Sequence, residues 1–307
     1  MELNYMDLGM KVLGILILAI VLLFVLTWSG MVSCGDVPYW CEVYESVLGS
    51  PRVLIVHGDA GLGDPDALSA ILRSPTVGVS AVDIASLDML SLGNLKRYKL
   101  VVVEKARKMN MEQLQMFMDY VQLNGGRLVW VGDAGTEKGA NELNNLVDVN
   151  SLKKMLDNPW ARAKEEETSY SILNFDEFLG LRYVGNYCSM RTCTNQVYAG
   201  TLKTELTGDH PLIYGIAPAL ELRVKNERDF SIVQQFANAS NSNIVLSLDQ
   251  GSVLNANGKT LPRHLPMIVT SGLGERIAYY SYPLEYMVQD NNYSRFVVQM
   301  YYGMLGK

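Results

Sequence analysis

The sequence predicts an α/β domain built on a doubly wound, mostly parallel sheet, preceded by one transmembrane helix. Three observations carry this. An uncharged apolar run occupies residues 12–28. Downstream of it, short β-branched runs alternate with helix-patterned segments as far as residue 131, the rhythm of parallel strands joined by crossover helices. A closing apolar stripe of helical spacing runs through Tyr293, Phe296, Val297, Met300, Tyr301 and Met304.

With residues 29–32 the apolar run reaches a length of ~20 residues, enough to cross ~30 Å of hydrocarbon as a helix. Residues 1–11 then form a short cytoplasmic N-terminus, 12–32 the transmembrane helix, 33–51 a stalk, and 52–307 an extracytoplasmic domain. Lys11 is the only basic residue before the run and Arg52 the first after it, so the positive-inside bias places the N-terminus in the cytoplasm. Trp28 suits the membrane interface. A cleaved signal peptide is the first alternative, but the run exceeds the usual ~7–15-residue apolar region and its start is poor in basic residues. Lipidation of Cys34 in Met31-Val32-Ser33-Cys34 is the second, and it would leave an odd cysteine.

The four cysteines are Cys34, Cys41, Cys188 and Cys193. They allow three pairings, of which the local one, Cys34 with Cys41 and Cys188 with Cys193, is the simplest. Neither pair has the C-x2-C spacing of zinc sites, so structural disulfides of an oxidising compartment are the expectation. Asn238 and Asn292 open short glycosylation sequons. A formal net charge of -6 without a basic run argues against a nucleic-acid partner.

Residues 52–57 read as a buried strand ending in a glycine-rich turn. Asp64 and Pro65 then cap and open a helix through Leu72. Residues 79–85 and 98–104 are a second and third strand. Met111, Leu114, Phe117, Met118 and Val121 share one face of a helix over 109–123, which Asn124-Gly125-Gly126 stops. Residues 127–131 are a fourth strand, left through Gly132-Asp133-Ala134-Gly135. Beyond it the pattern predicts an exposed helix or loop over 157–167, a helix over 170–181, strands and turns over 197–248, and a late strand over 276–281. In Gly58-Asp59-Ala60-Gly61-Leu62-Gly63 neither a G-x-G-x-x-G spacing nor a phosphate-binding lysine is present, so a tight turn is expected there.

The order of residues 98–104, a helix, then residues 125–133 resembles the class I glutamine amidotransferase-like, flavodoxin-like fold. More narrowly it resembles the trehalose-utilisation-type branch and related membrane-anchored proteins. The segments Leu179–Gly185, Asp209–Gly215 and Gly272–Tyr280 fit that branch. The resemblance implies a cysteine nucleophile on the sharp turn after residue 131. Gly132, Asp133 and Ala134 stand there instead, and all four cysteines lie elsewhere. His57, His210 and His264 are the histidines available as bases.

In open α/β sheets ligands bind beyond the carboxyl ends of the strands. His57 and Asp59 after the first strand, Glu104 after the third and Asp133 after the fourth would form an acidic edge there. It could hold a divalent cation or sugar hydroxyls; solvated loop residues and helix caps are the plainer reading. Tyr279, Tyr280, Tyr282 and Tyr286 read as sheet packing. The expectation is a membrane-anchored, non-catalytic binding or scaffold domain without a cofactor, assembling with other membrane or envelope proteins. The alternative is a carbohydrate-active or metal-dependent enzyme using the acidic edge.

Overall fold

The protein is seen in a computed structural model. The structure describes residues 5–28, 32, 37, 40, 43–44, 47, 52–77, 79–139, 142, 158–165, 170–191, 193, 198–206, 210–224, 228–236, 242–251, 260–288 and 293–306. The expected Cys34–Cys41 pairing and the glycosylation sites Asn238 and Asn292 lie outside the described residues. The chain divides into two compact units, Met1–Ser50 with Gly306–Lys307, and Pro51–Leu305.

The first unit is dominated by α1 (Tyr5–Trp28). Its side chains are described over residues 11–27 and apolar groups such as Ile15, Leu18 and Leu22 are exposed all along it. Among the described residues no helix is long and apolar enough to cross a membrane. Near the end of α1 Trp40 donates its indole N–H to Thr27 Oγ1 at 2.9 Å, and Phe24 packs edge-on to Trp40.

In the second unit the chain runs β1 (Arg52–His57), α2 (Pro65–Leu72), β2 (Ala81–Ser86), α3 (Leu92–Leu95), β3 (Leu100–Glu104), β4 (Lys108–Met109), α4 (Met111–Gln122), β5 (Arg127–Val131) and β6 (Glu137–Lys138). It continues through β7 (Ala161–Glu165), β8 (Tyr170–Asn174), α5 (Phe175–Leu179), β9 (Leu181–Asn186), α6 (Tyr187–Met190), β10 (Tyr198–Thr204), β11 (Ala219–Val224), β12 (Ser231–Gln235), β13 (Ser242–Asp249), β14 (His264–Ser271), β15 (Ile277–Tyr280) and α7 (Ser294–Met304). The main sheet has nine strands in the order β11-β10-β13-β14-β15-β5-β3-β1-β2. From β15 to β2 the pairs are parallel; from β11 to β15 they are antiparallel.

Strand alternation sorts the core into two layers. Val53, Ile55, Val102 and Val129 face α2 and α7, meeting Leu68, Val297 and Met300. Leu54, Val56, Val103 and Trp130 face α4, meeting Leu114 and Phe117. Local chemistry sets the helix starts. The Asp64 carboxylate accepts the Ala67 N–H, Pro65 fills the first turn of α2, and Asn110 and Gln113 form a reciprocal cap on α4.

Two expectations for the middle of the chain are corrected. The polar stretch over 157–167 contains strand β7, paired antiparallel with β8, so no helix forms there. The expected helix over 170–181 is instead β8 followed by the single turn of α5. In the first, buried charge hid the pattern. Arg162 is wholly buried, donating to Glu142 Oε2 at 2.9 Å and to the Gly135 and Glu137 carbonyls.

Candidate functional site

The carboxyl ends of β1, β3 and β5 carry the four residues expected to form an acidic edge, and the structure divides them. Glu104 continues the alternation of β3 toward the α2 and α7 layer. Asp133 sits in the turn after β5 among groups of the α4 layer, including Tyr183 and Tyr279. His57 is half-buried with Nδ1 3.1 Å from its neighbour's carbonyl, Gly58 O. Asp59 is exposed in the following turn. Among the described residues no group of three or more histidine, cysteine or acidic side chains could hold a metal ion.

Asp133 is fully buried, and three donors occupy its carboxylate. Leu62 N–H donates to Oδ1 at 2.8 Å, Arg107 Nε to Oδ2 at 2.6 Å, and Asn186 Nδ2 to Oδ2 at 3.0 Å. Asn186 is held in turn by the hydroxyls of Tyr183 and Ser231, which donate to its Oδ1. Burial alone would lower the Arg107 pKa, but the hydrogen bond and charge of Asp133 outweigh it and raise it.

The backbone of the turn is spent in the same way. Gly132 N–H donates to Tyr280 O, Ala134 N–H to Val131 O and Gly135 N–H to Ala106 O. The Ala134 carbonyl accepts both the Trp130 and Trp160 indoles. A turn of this kind, where a helix would begin in a working nucleophile elbow, has none of these three N–H groups left to bind an oxyanion.

Glu104 belongs to a second node that its own strand pattern does not reveal. It is fully buried opposite Glu285, from the 3-10 turn Leu284–Met287. Glu285 Oε1 accepts the Asp64 N–H at 2.8 Å, and the neighbouring Tyr286 hydroxyl accepts the Gly63 N–H at 3.1 Å. Glu104 Oε1 and Oε2, Glu285 Oε2 and the Tyr301 hydroxyl have no hydrogen-bond partner while both glutamates are written as carboxylates. Two carboxylates have no donor to offer one another, whereas one proton between them supplies it. Burial first, then the facing Glu285 charge, raise Glu104 well above the ordinary carboxylate range. Burial likewise lifts Glu285 to about 7.

One turn covers both nodes. Gly61 and Gly63 each have φ +126, a region favouring glycine. A Cβ on Gly61 would stand 3.0 Å from Asp133 Oδ1, and one on Gly63 2.9 Å from Glu104 Cβ. Leu62, between them, is buried against Gly132. The turn expected of this glycine-rich stretch is therefore a lid on two buried carboxyl sites. Beside edge strand β2 a separate groove of about 280 Å³ is lined by Leu54, Met89, Leu90, Arg97 and Tyr98, among others.

No protein-family model matches this chain, and no curated protein matches it. Solved structures do. A ThuA-like protein from Bacteroides uniformis is similar over 82% of this chain and 90% of its own, at 14% identity and a TM-score of 0.50. The N-terminal domain of mmIFT52 is similar over 83% of this chain and 97% of its own, at 13% identity and a TM-score of 0.49. A β-galactosidase from Rahnella sp. R3 is similar over 78% of this chain but only 30% of its own, at 14% identity and a TM-score of 0.45. The ThuA-like match agrees with the amidotransferase-like fold that the motif order resembles. At that identity it speaks to fold, and function has to be argued from the site.

Proposed function

We propose that this chain is a non-catalytic binding or scaffold domain, tethered to a membrane by its N-terminal helix and held outside the cytoplasm, where it assembles with other membrane or envelope proteins. The observation that carries the reading is the state of Asp133. The residue at the position of the amidotransferase-like nucleophile is a carboxylate buried under three donors. Covalent acyl transfer needs an exposed nucleophile, an adjacent base and donors for the oxyanion. Here the side chain is enclosed, the nearest partner is a guanidinium, and the turn's Gly132, Ala134 and Gly135 amides are used internally. The separation of Glu104 from Asp133 likewise weighs against a shared cation or sugar site. Tethering is supported by residues 12–26 of α1, which carry no charge or polar side chain. The Cys188–Cys193 disulfide fits an oxidising compartment.

The test has two arms on the full-length chain. Membranes carrying it are washed with alkaline carbonate, and the detergent-purified protein is assayed against glutamine and generic amides, esters and glycosides. The reading expects retention in the membrane pellet and no turnover above buffer. Release by carbonate would overturn the tether, and turnover would overturn the non-catalytic assignment.

A further inference from the structure

The Glu104–Glu285 pair lies outside the Asp133 node and has no part in the function proposed above. Its geometry ties three pieces of chain together. Glu104 ends β3, an interior strand between β5 and β1. Glu285 sits on the turn Leu284–Met287, and its Oε1 receives the Asp64 N–H that opens α2. One residue earlier, Gly63 N–H reaches the Tyr286 hydroxyl on that same turn. The backbone of residues 61–64 is thus pinned from one side by Glu285 and Tyr286. From the other, Leu62 O accepts the Lys105 N–H at 2.6 Å. The same short segment delivers the Leu62 N–H to Asp133.

We propose that Glu104 and Glu285 form a proton-held latch, which keeps the turn of residues 61–64 closed while at least one proton is shared between the two carboxyls and opens it when the last proton leaves to solvent. Closed, the pair is a carboxylic acid donating to its neighbour, so one otherwise unpartnered oxygen on each glutamate is satisfied. Fully deprotonated, two carboxylates face one another in a dry layer, and the acceptor that pins Asp64 N–H is driven away from Glu104. Moving Glu285 withdraws Asp64 and Gly63 with it. The Leu62 that they carry then uncovers Gly132 and removes a donor from Asp133.

The charged and titratable neighbours are few. Asp64 adds a further negative charge and Lys105 the opposing positive one. Tyr301 from α7 and Tyr286 from the Glu285 turn are the phenols facing the pair, and Arg228 lies over the Tyr286 ring at 4.5 Å. His57 is paired in register with Glu104 on the neighbouring strand. The raised carboxyl range of both glutamates agrees with a proton retained near neutrality, and the pair titrates as a unit.

Hydrogen–deuterium exchange with millisecond mixing, on the full-length protein in detergent, tests this. Protection is compared at about pH 6 and about pH 9 after division by the intrinsic rate at each pH. The latch predicts that residues 61–64 lose about tenfold in protection at the higher pH, while strand β3 keeps its own. Glu104→Gln, whose carboxamide donates to Glu285 without a titratable proton, should hold protection equal within about twofold at both. His57→Gln should behave as the parent does. Unchanged protection in the parent, a loss shared equally with β3, a loss persisting in Glu104→Gln, or a loss abolished by His57→Gln would each overturn the latch. Should Glu104→Gln not fold, Glu285→Gln retains the acceptor for Asp64 N–H and is read by the same two outcomes.

Discussion

Gly63 lies against Glu104 so closely that a Cβ added to Gly63 would stand 2.9 Å from the Glu104 Cβ. That contact seals the glutamate from water and gives the fold a cost that depends on pH. Burial, the first cause in each case, raises Glu104, Glu285 and Asp176, the last two to about 7 and about 6. Between their unfolded values near ~4 and these folded ones, the native state holds more protons than the unfolded chain. Stability therefore falls as pH rises through that window. Glu112 and Glu275 are lowered instead, and act below it. Urea unfolding should show the protein more stable at about pH 5 than at about pH 8 by ~1–3 kcal/mol, with the difference reduced by at least half in Glu104→Gln. A midpoint that rises with pH over this range would contradict the sign.

The parallel half of the sheet was readable because its strands are short β-branched runs bounded by glycine turns, and because α2 announces its cap at Asp64 and α4 its apolar stripe from Met111 to Val121. The β7–β8 pair was not. Arg162 looks solvated in a sequence, yet it is buried because Glu142 and two carbonyls supply its partners. Within the candidate site, His57, Asp59, Glu104 and Asp133 could be placed at one edge from strand order. What could not be read was that alternation sends Glu104 toward the α2 and α7 layer while the turn at Gly132, with φ +60, leads Asp133 among groups of the other. Glu285 was missed entirely. Its Pro-Leu-Glu-Tyr context carries no motif, and only the packing of the Leu284–Met287 turn against α2 brings it to β3. Nor does the sequence reveal that the Gly132 N–H is taken by Tyr280 O and the Ala134 N–H by Val131 O.

Arg162 supplies a second prediction. Its side chain and that of Glu142 are 0% and 3% exposed, so removing one partner strands the other's charge. Arg162→Met should cost ~3–5 kcal/mol in chemical denaturation. Adding Glu142→Gln should recover part of it, since the carboxamide oxygen can still accept the Met111 N–H. A loss under ~1 kcal/mol in the single variant would mean the pair is not buried as described.

The Cys188–Cys193 disulfide closes a short loop around α6, with the two Cα atoms 5.1 Å apart. Peptide mapping without reductant should recover this link. Reduction should lower stability by about 2 kcal/mol, in keeping with a short loop, and leave the sheet's circular dichroism unchanged. Recovery of both residues as free thiols from oxidised protein would refute the assignment.

The central claim is that Asp133 is a structural carboxylate rather than a reacting one. Denaturation of Asp133→Ala at neutral pH tests it most directly. Replacement leaves Arg107, Leu62 N–H and Asn186 without their common acceptor, so the account predicts a loss of ~3–5 kcal/mol. A catalytic side chain held at some cost to the fold can be removed with little loss or even a gain in stability. Stability unchanged within ~0.5 kcal/mol would therefore contradict the account and return the turn after β5 to consideration as an active site.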